Sequence, residues 1–219
     1  MIKWLWIVAG PNGAGKSTHT VQLMEDLQAS GIPGDSIIKL NADEKTAELQ
    51  KQFPDRPLKE LNLQAAQETD AALTKAVVED ETYILVETVL SSEKYKKVVL
   101  EAKGRGYNIG LTYVSVHPPE LILGRIRNRV AKGGHNVDDR KALDRYGRSH
   151  VNLIWFAQHS DKVVILDNSA RRETGPVLVA VKSSGKKLIH KAKGVNPALD
   201  RAIWALRKDG RSSPSPNTR

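Results

Sequence analysis

Apolar residues in this chain fall into two arrangements. Short unbroken runs, "KWLWIVA", "SIIKL", "YILVE", "IGLTYVSV" and "KVVIL", have the length and the β-branched content of strands buried on both faces. Between them, stretches beginning at Leu58, Ser92, Pro118 and about Asp139 place apolar residues at helical spacing, and Val21, Met24 and Leu27 mark a further helix that Gly31 stops. The alternation predicts an α/β fold with a parallel sheet flanked by helices. Ligands in such sheets gather at the carboxyl ends of the strands, so the residues just past each run are the first to inspect. Further on, "PVLVAVKS" and "KKLIHKA" can pair as a hairpin, an amphipathic stretch surrounds Ile203 to Leu206, and "GRSSPSPNTR" has the composition of a disordered tail. The expected organisation is a core over residues 1–170, a small C-terminal extension over 171–210 and a tail over 211–219.

The first run ends in "VAGPNGAGKST", in which Gly10 to Ser17 fit the phosphate-binding spacing of Gly, four residues, then Gly, Lys and Ser. A strand before it and a helix after it are the context this pattern requires, and they give the fold a P-loop NTPase type. Gly10, Gly13 and Gly15 let the backbone turn tightly and aim N–H groups at phosphate oxygens, with a helix N-terminus behind them. Gly10, Pro11, Asn12, Gly13, Ala14, Gly15, Lys16, Ser17 and Thr18 are therefore the expected nucleotide-binding residues. Lys16 would hold the β- and γ-phosphates of ATP, and Ser17 would ligate Mg²⁺.

Composition narrows the classes. The 219 residues include no Cys, which excludes disulfides, a thiol nucleophile and Cys-ligated metal. The apolar opening is short and runs directly into the phosphate loop, so it does not read as a cleaved leader, and no run elsewhere has the length of a membrane span. A cytoplasmic protein with no membrane association is expected. The net charge of +9 is unevenly spread: residues 1–170 hold 22 Lys+Arg against 22 Asp+Glu, and residues 171–219 hold 12 against 3. The basic segment "VKSSGKKLIHKAKG" can meet nucleic acid or another acidic partner, or serve as a solvated face, and it carries no interleaved aromatic residue.

Three strand-end positions carry candidate chemistry. Asp43, just past "SIIKL", can reach a substrate hydroxyl opposite the γ-phosphate as a catalytic base, or can cap the helix that follows; Asn41 and Glu44 are weaker candidates. Glu87 and Thr88 close "YILVET", where a carboxylate can serve Mg²⁺ through water, bind a polar substrate or end the strand in solvent. In "PPELILGRIRNRVAKGGH", setting Ile122 at zero puts Ile126, Val130 and Leu123 at about 40°, 80° and 100°, and Leu121 at about 260°, as one apolar stripe. Arg125 and Arg129 fall inside it at about 300° and 340°, whereas Arg127 lies beyond its edge at about 140°. Arginines on an apolar face need anions, either a phosphate chain or structural carboxylates. "KGGH" then breaks the helix as a hinge for a lid. His135 can touch substrate there or stand exposed.

In order, "GPNGAGKST", "NAD", "ETVLSS", "HPPELILGRIRNRVAKGGHNV", "DRYGRS" and "DNS" resemble the zeta toxin family, in particular its chromosomal bacterial branch, across about residues 4–170. The resemblance implies a P-loop kinase that moves the γ-phosphoryl group of ATP to a sugar hydroxyl, with UDP-N-acetylglucosamine the family's substrate and an antitoxin protein as partner. By that likeness Asp43 matches the catalytic Asp, and Glu87 and Thr88 match the substrate-binding segment. Arg125, Arg129 and Arg145 match the phosphate-clamping region. The chain departs from the branch where Asp138 follows Val137 in place of Pro and where "ALD" replaces arginines at 142–144, with Arg140 a candidate replacement. Other readings compete. An ABC-type ATPase would need an LSGGQ-like signature and a strand ending in Asp-Glu, and a regulatory GTPase an Asn-Lys-x-Asp motif; the sequence has neither set. A kinase for another small metabolite shares all these features, and a nucleic-acid-directed ATPase or polynucleotide kinase would use residues 171–219. Asn168 and Ser169 are plausible neighbours of the nucleotide base.

Overall fold

In the computed structural model, residues 2–131, 137–170 and 175–209 are described. The five apolar runs become β1 (Lys3–Ala9), β2 (Ile37–Asn41), β3 (Tyr83–Thr88), β4 (Tyr107–Ser115) and β5 (Lys162–Asp167), and two further strands follow, β6 (Val177–Lys182) and β7 (Ile189–His190). The helices are α1 (Lys16–Ala29), α2 (Ala42–Gln52), α3 (Leu58–Val78), α4 (Tyr95–Gly104), α5 (Leu121–Val130), α6 (Asp139–His159) and α7 (Pro197–Asp209). All seven strands form one sheet in the order β2-β3-β1-β4-β5-β6-β7, parallel through β5 and antiparallel at β6 and β7. The parallel part follows from helix-length crossovers between strands, whereas no described helix separates β5, β6 and β7, which pair antiparallel.

Period two along β1 divides the protein into two layers. Leu5, Ile7 and Ala9 join the main core with Leu73, Val99, Leu153 and Phe156 from α3, α4 and α6, and Val8 faces the other way with Met24 and Leu27 of α1. Val21, expected on the buried side of α1, is 53% exposed, because the face turned to the sheet runs through Thr20, Leu23, Met24 and Leu27. The residues after the fifth strand share this core. Val179, Ala180, Leu199, Ala202 and Ile203 belong to the main cluster, and α7 packs on α6. Burying Leu199 and Ile203 contributes roughly 2 kcal/mol each.

Between α5 and α6 a smaller cluster forms from Val116, Ile122, Ile126, Val137, Ala142 and Tyr146. It buries the centre of the predicted stripe on α5. The stripe's ends, Leu121 and Val130, are 38% and 36% exposed, so the buried face is narrower than the periodicity alone outlines. Asp138, one of the departures from the zeta pattern, caps α6: its side chain accepts the Lys141 N–H at 3.0 Å. No helix among the described residues is long and apolar enough to cross a membrane. The expected tail over 211–219 lies outside the described residues.

Candidate functional site

The ends of β1, β2 and β3 are in register, with Val8 opposite Glu87, Ala9 opposite Thr88 and Asn41 opposite Glu87. The glycine-rich loop, the start of α2 and the β3 carboxylate therefore open on one edge of the sheet. Gly10, Gly13 and Gly15 all have positive φ, at 142°, 72° and 99°. Two of them also face obstacles: a Cβ on Gly10 would run into the Val114 carbonyl oxygen, and one on Gly15 into the Asn168 amide. Glycine is required at both on two counts, backbone angle and space.

Lys16 begins α1 and is buried, its ammonium donating to the Pro11 carbonyl at 3.1 Å. Burial lowers its pKa from the usual lysine range, against the attraction of Glu87 and Asp43 and with a smaller push from Arg129. Desolvation is the largest influence on it, and both carboxylates oppose that influence. Within the same loop Asn12 is buried and Ala14 donates to the Pro11 carbonyl, whereas Ser17 and Thr18 stand exposed on the first turn of α1.

Glu87 is tied to that first turn. The Ser17 hydroxyl donates to Oε1 at 3.0 Å and the buried Thr20 hydroxyl to Oε2 at 2.8 Å, fixing both carboxylate oxygens. Hydroxyl and carboxylate oxygens side by side are the hard donor set that Mg²⁺ prefers. Thr20 was invisible to motif reading, yet its spacing of three from Ser17 puts both on one helix face. Thr88 is half-buried, and its hydroxyl accepts the Leu90 N–H at 3.2 Å. Leu90 is buried with φ of 60°, a conformation that a leucine rarely adopts. This turn is pinned from α6, where Ser149 donates to the Val89 carbonyl at 2.7 Å and Asn152 to the Leu90 carbonyl at 2.9 Å. Ser149 closes the "DRYGRS" motif, but no pattern joins it or Asn152 to this turn, because they lie about sixty positions away along the chain.

At the end of β2 the helix cap is Asn41, whose side chain accepts from the N–H groups of Asp43 and Glu44. Asp43 sits one position inside α2, 3.6 Å from Arg129 through Oδ2, with its side chain 52% exposed. Glu44 turns outward to Lys39. From the opposite side α5 crosses the loop, with the Ile122 carbonyl 3.0 Å from where a Cβ of Gly13 would be. Arg125 and Arg129 are both half-buried, as their helical angles predict, and Arg127 is exposed and paired with Asp139 at 2.6 Å. Arg125 donates to the Asn168 carbonyl at 2.7 Å, and the Asn168 amide donates to the Ala14 carbonyl at 2.8 Å, so the turn after β5 walls the loop. Arg145 is half-buried near the start of α6. His135 and the expected hinge at "KGGH" lie outside the described residues.

A phosphate-binding loop between a central parallel strand and a helix, walled by strand-end turns, defines a P-loop nucleotide-binding domain. The chain matches the AAA domain family over residues 5–152 and belongs to it. A search of curated proteins returns no match. Among solved structures, the AvrRxo1-ORF1:-ORF2 complex with ATP is similar at a TM-score of 0.67 and 15% identity, covering 100% of this chain and 66% of that one. A second AvrRxo1-ORF1:AvrRxo1-ORF2 structure, with sulphate ions, gives 0.66 and 17%, covering 92% and 63%. The PezAT chromosomal toxin-antitoxin system of Streptococcus pneumoniae gives 0.57 and 17%, covering 94% and 78%. The likeness is one of fold, and the chain spans just under two thirds of the AvrRxo1-ORF1 structures it matches.

Proposed function

We propose that the protein is an ATP-dependent phosphotransferase that phosphorylates a hydroxyl of a small molecule. A UDP-N-acetylhexosamine is the acceptor favoured by the resemblance to zeta toxins. The observation that carries this reading is the convergence of Lys16, Glu87, Asp43 and Arg129 from four elements on one strand-end edge, beside the glycine loop and around a buried ammonium. A triphosphate is the ligand this convergence would take. Loop N–H groups and Lys16 would hold its phosphates, and Ser17 and Glu87 would hold Mg²⁺, which would supply neutralisation of the phosphate charge.

Asp43 has the place of the base. It is exposed in the first turn of α2, with Oδ2 3.6 Å from Arg129. The acceptor oxygen attacks the γ-phosphorus, its proton passes to Asp43, and the bond to the β–γ bridging oxygen breaks to release ADP. Arg125, Arg129 and Arg145 offset the charge developing in transfer, and Thr88, held by its turn, orients the acceptor, with His135 as a further contact. An antitoxin-type partner is part of the proposal, supported by the PezAT likeness.

Incubating the protein with Mg-ATP and a panel of UDP-sugars, nucleosides and oligonucleotides, followed by mass spectrometry, tests the reading. One phosphate gained by a UDP-sugar is the expected product. Asp43→Ala should lose transfer by about 10²–10⁴-fold while still binding ATP. Phosphate on an oligonucleotide, or ATP hydrolysis with no acceptor, would refute it.

A further inference from the structure

The lysine-rich stretch 182–193 contains no aromatic residue, but folding brings one to it. Trp204 of α7 is 65% exposed and borders a groove of about 450 Å³ together with His190, Lys193, Arg201 and Arg207. On α7 the residues Leu199, Ala202 and Ile203 turn into the core, so Trp204 stands on the outward face, where its indole adds nothing to packing. Arg201 and Lys208 lie one turn before and after it on that face, and the Lys208 ammonium is 5.4 Å from the ring centroid. Asp200, the acid at the groove, is engaged: Oδ2 accepts the Gly194 N–H at 2.8 Å and Oδ1 lies 2.9 Å from His190 Nε2. The other charged side chains lining the groove, Lys193, Arg201 and Arg207, are cations.

We propose that this groove binds single-stranded nucleic acid, with a base stacked on Trp204 and the flanking phosphates against Lys193, Arg201 and Arg207. A planar, exposed ring with cations on both sides is the arrangement that stacking recognition uses, and it tolerates any base because every base has a π-face. Acidic side chains alone would satisfy the cations but bring no π-face to the ring. The groove is distinct from the phosphate loop. Its lining comes from His190 of β7, Lys193 and α7, and none of those residues belongs to the glycine loop.

Fluorescence anisotropy of the full chain with short labelled oligothymidine and oligouridine, over about 50 to 200 mM salt, tests this. Binding to either or both is expected, weakening with salt at a log–log slope of about −2 for three phosphate contacts. Trp204→Ala should weaken binding about tenfold and Trp204→Phe much less. Arg201→Ala with Arg207→Ala should reduce the slope by about 1.5, and Asp43→Ala should change nothing. Trp204 is too exposed for its removal to threaten the fold. The proposal is overturned if neither oligonucleotide binds at low salt, if Trp204→Ala binds as the parent does, or if polyglutamate of equal charge competes as well as the oligonucleotides.

Discussion

Lys16 and the lysines beyond residue 182 are the same chemical group in opposite surroundings. Lys16 is buried, begins a helix and has two carboxylates nearby, and even so burial lowers its pKa. Lys186, Lys187, Lys191 and Lys193 are exposed, on a unit whose charge is 12 positive against 3 negative over residues 171–219. A buried cation requires an anion at a fixed place, so it selects one ligand in one pose; exposed cations attract any polyanion from a distance and select little. Only where the second region adds a shaped, aromatic element, at Trp204, does it acquire more than charge.

The largest effect that tests this contrast is loss of the buried cation. Lys16→Ala should lower phosphoryl transfer about 10²–10³-fold or more, whereas Lys186→Ala with Lys187→Ala should leave turnover unchanged. Equal losses in both variants, measured as turnover under saturating Mg-ATP, would break the distinction.

A smaller effect comes from His150, beneath the seam between the two regions. Its Nδ1 meets the Tyr146 carbonyl at 2.8 Å and its Nε2 the Ser115 hydroxyl at 2.8 Å, and burial drives its pKa down to about 4 from 6.5. The unfolded chain therefore takes up the proton first, so the associated stability is complete above pH 6.5 and is lost as pH falls through about 4. The shift corresponds to a loss on the order of 3 kcal/mol. Thermal unfolding should show a midpoint falling through that window, and His150→Asn should flatten the fall.

Smallest is the link itself. Asn196, fully buried before α7, donates to Asp167 Oδ2 at 2.8 Å and accepts the Ala198 and Leu199 N–H groups at 3.1 and 3.2 Å. Asn196→Ala leaves the buried Asp167 oxygen without that donor and α7 without its cap, a loss of about 2 kcal/mol, or roughly 4–8 °C in midpoint. If turnover also falls while the protein remains folded, the two regions are less separate than their charges imply.

The sheet was legible because buried strands announce themselves as apolar runs, and the loop because its glycines have no substitutes. Period also located Arg125 and Arg129, since half-burial follows from helical angle. What could not be read were contacts joining remote segments. Thr20 lacks any motif, and Leu90 reads as an ordinary core leucine, although its φ of 60° is imposed by Ser149 and Asn152 from another helix. Asn168 is expected from its place after β5 as a neighbour of the nucleotide base, whereas its bond to the Ala14 carbonyl joins residues 154 positions apart and leaves no mark in the sequence. The missing aromatic in the basic stretch was read correctly as a local fact. Trp204 supplies it from across a turn and a helix, which composition by stretch does not register.

The central place of β1 bears on the order in which the molecule is made. Its hydrogen-bonded neighbours are β3 and β4, so during synthesis β1 lacks the second of them until about residue 115 has followed. The Val114 carbonyl that lies against Gly10 is made only then, and the loop's last wall, Asn168, later still. A nascent chain shorter than that exposes the apolar "WLWIVA" and carries an unfinished nucleotide pocket, a window in which early contacts are local and the long-range ones that complete the loop come last.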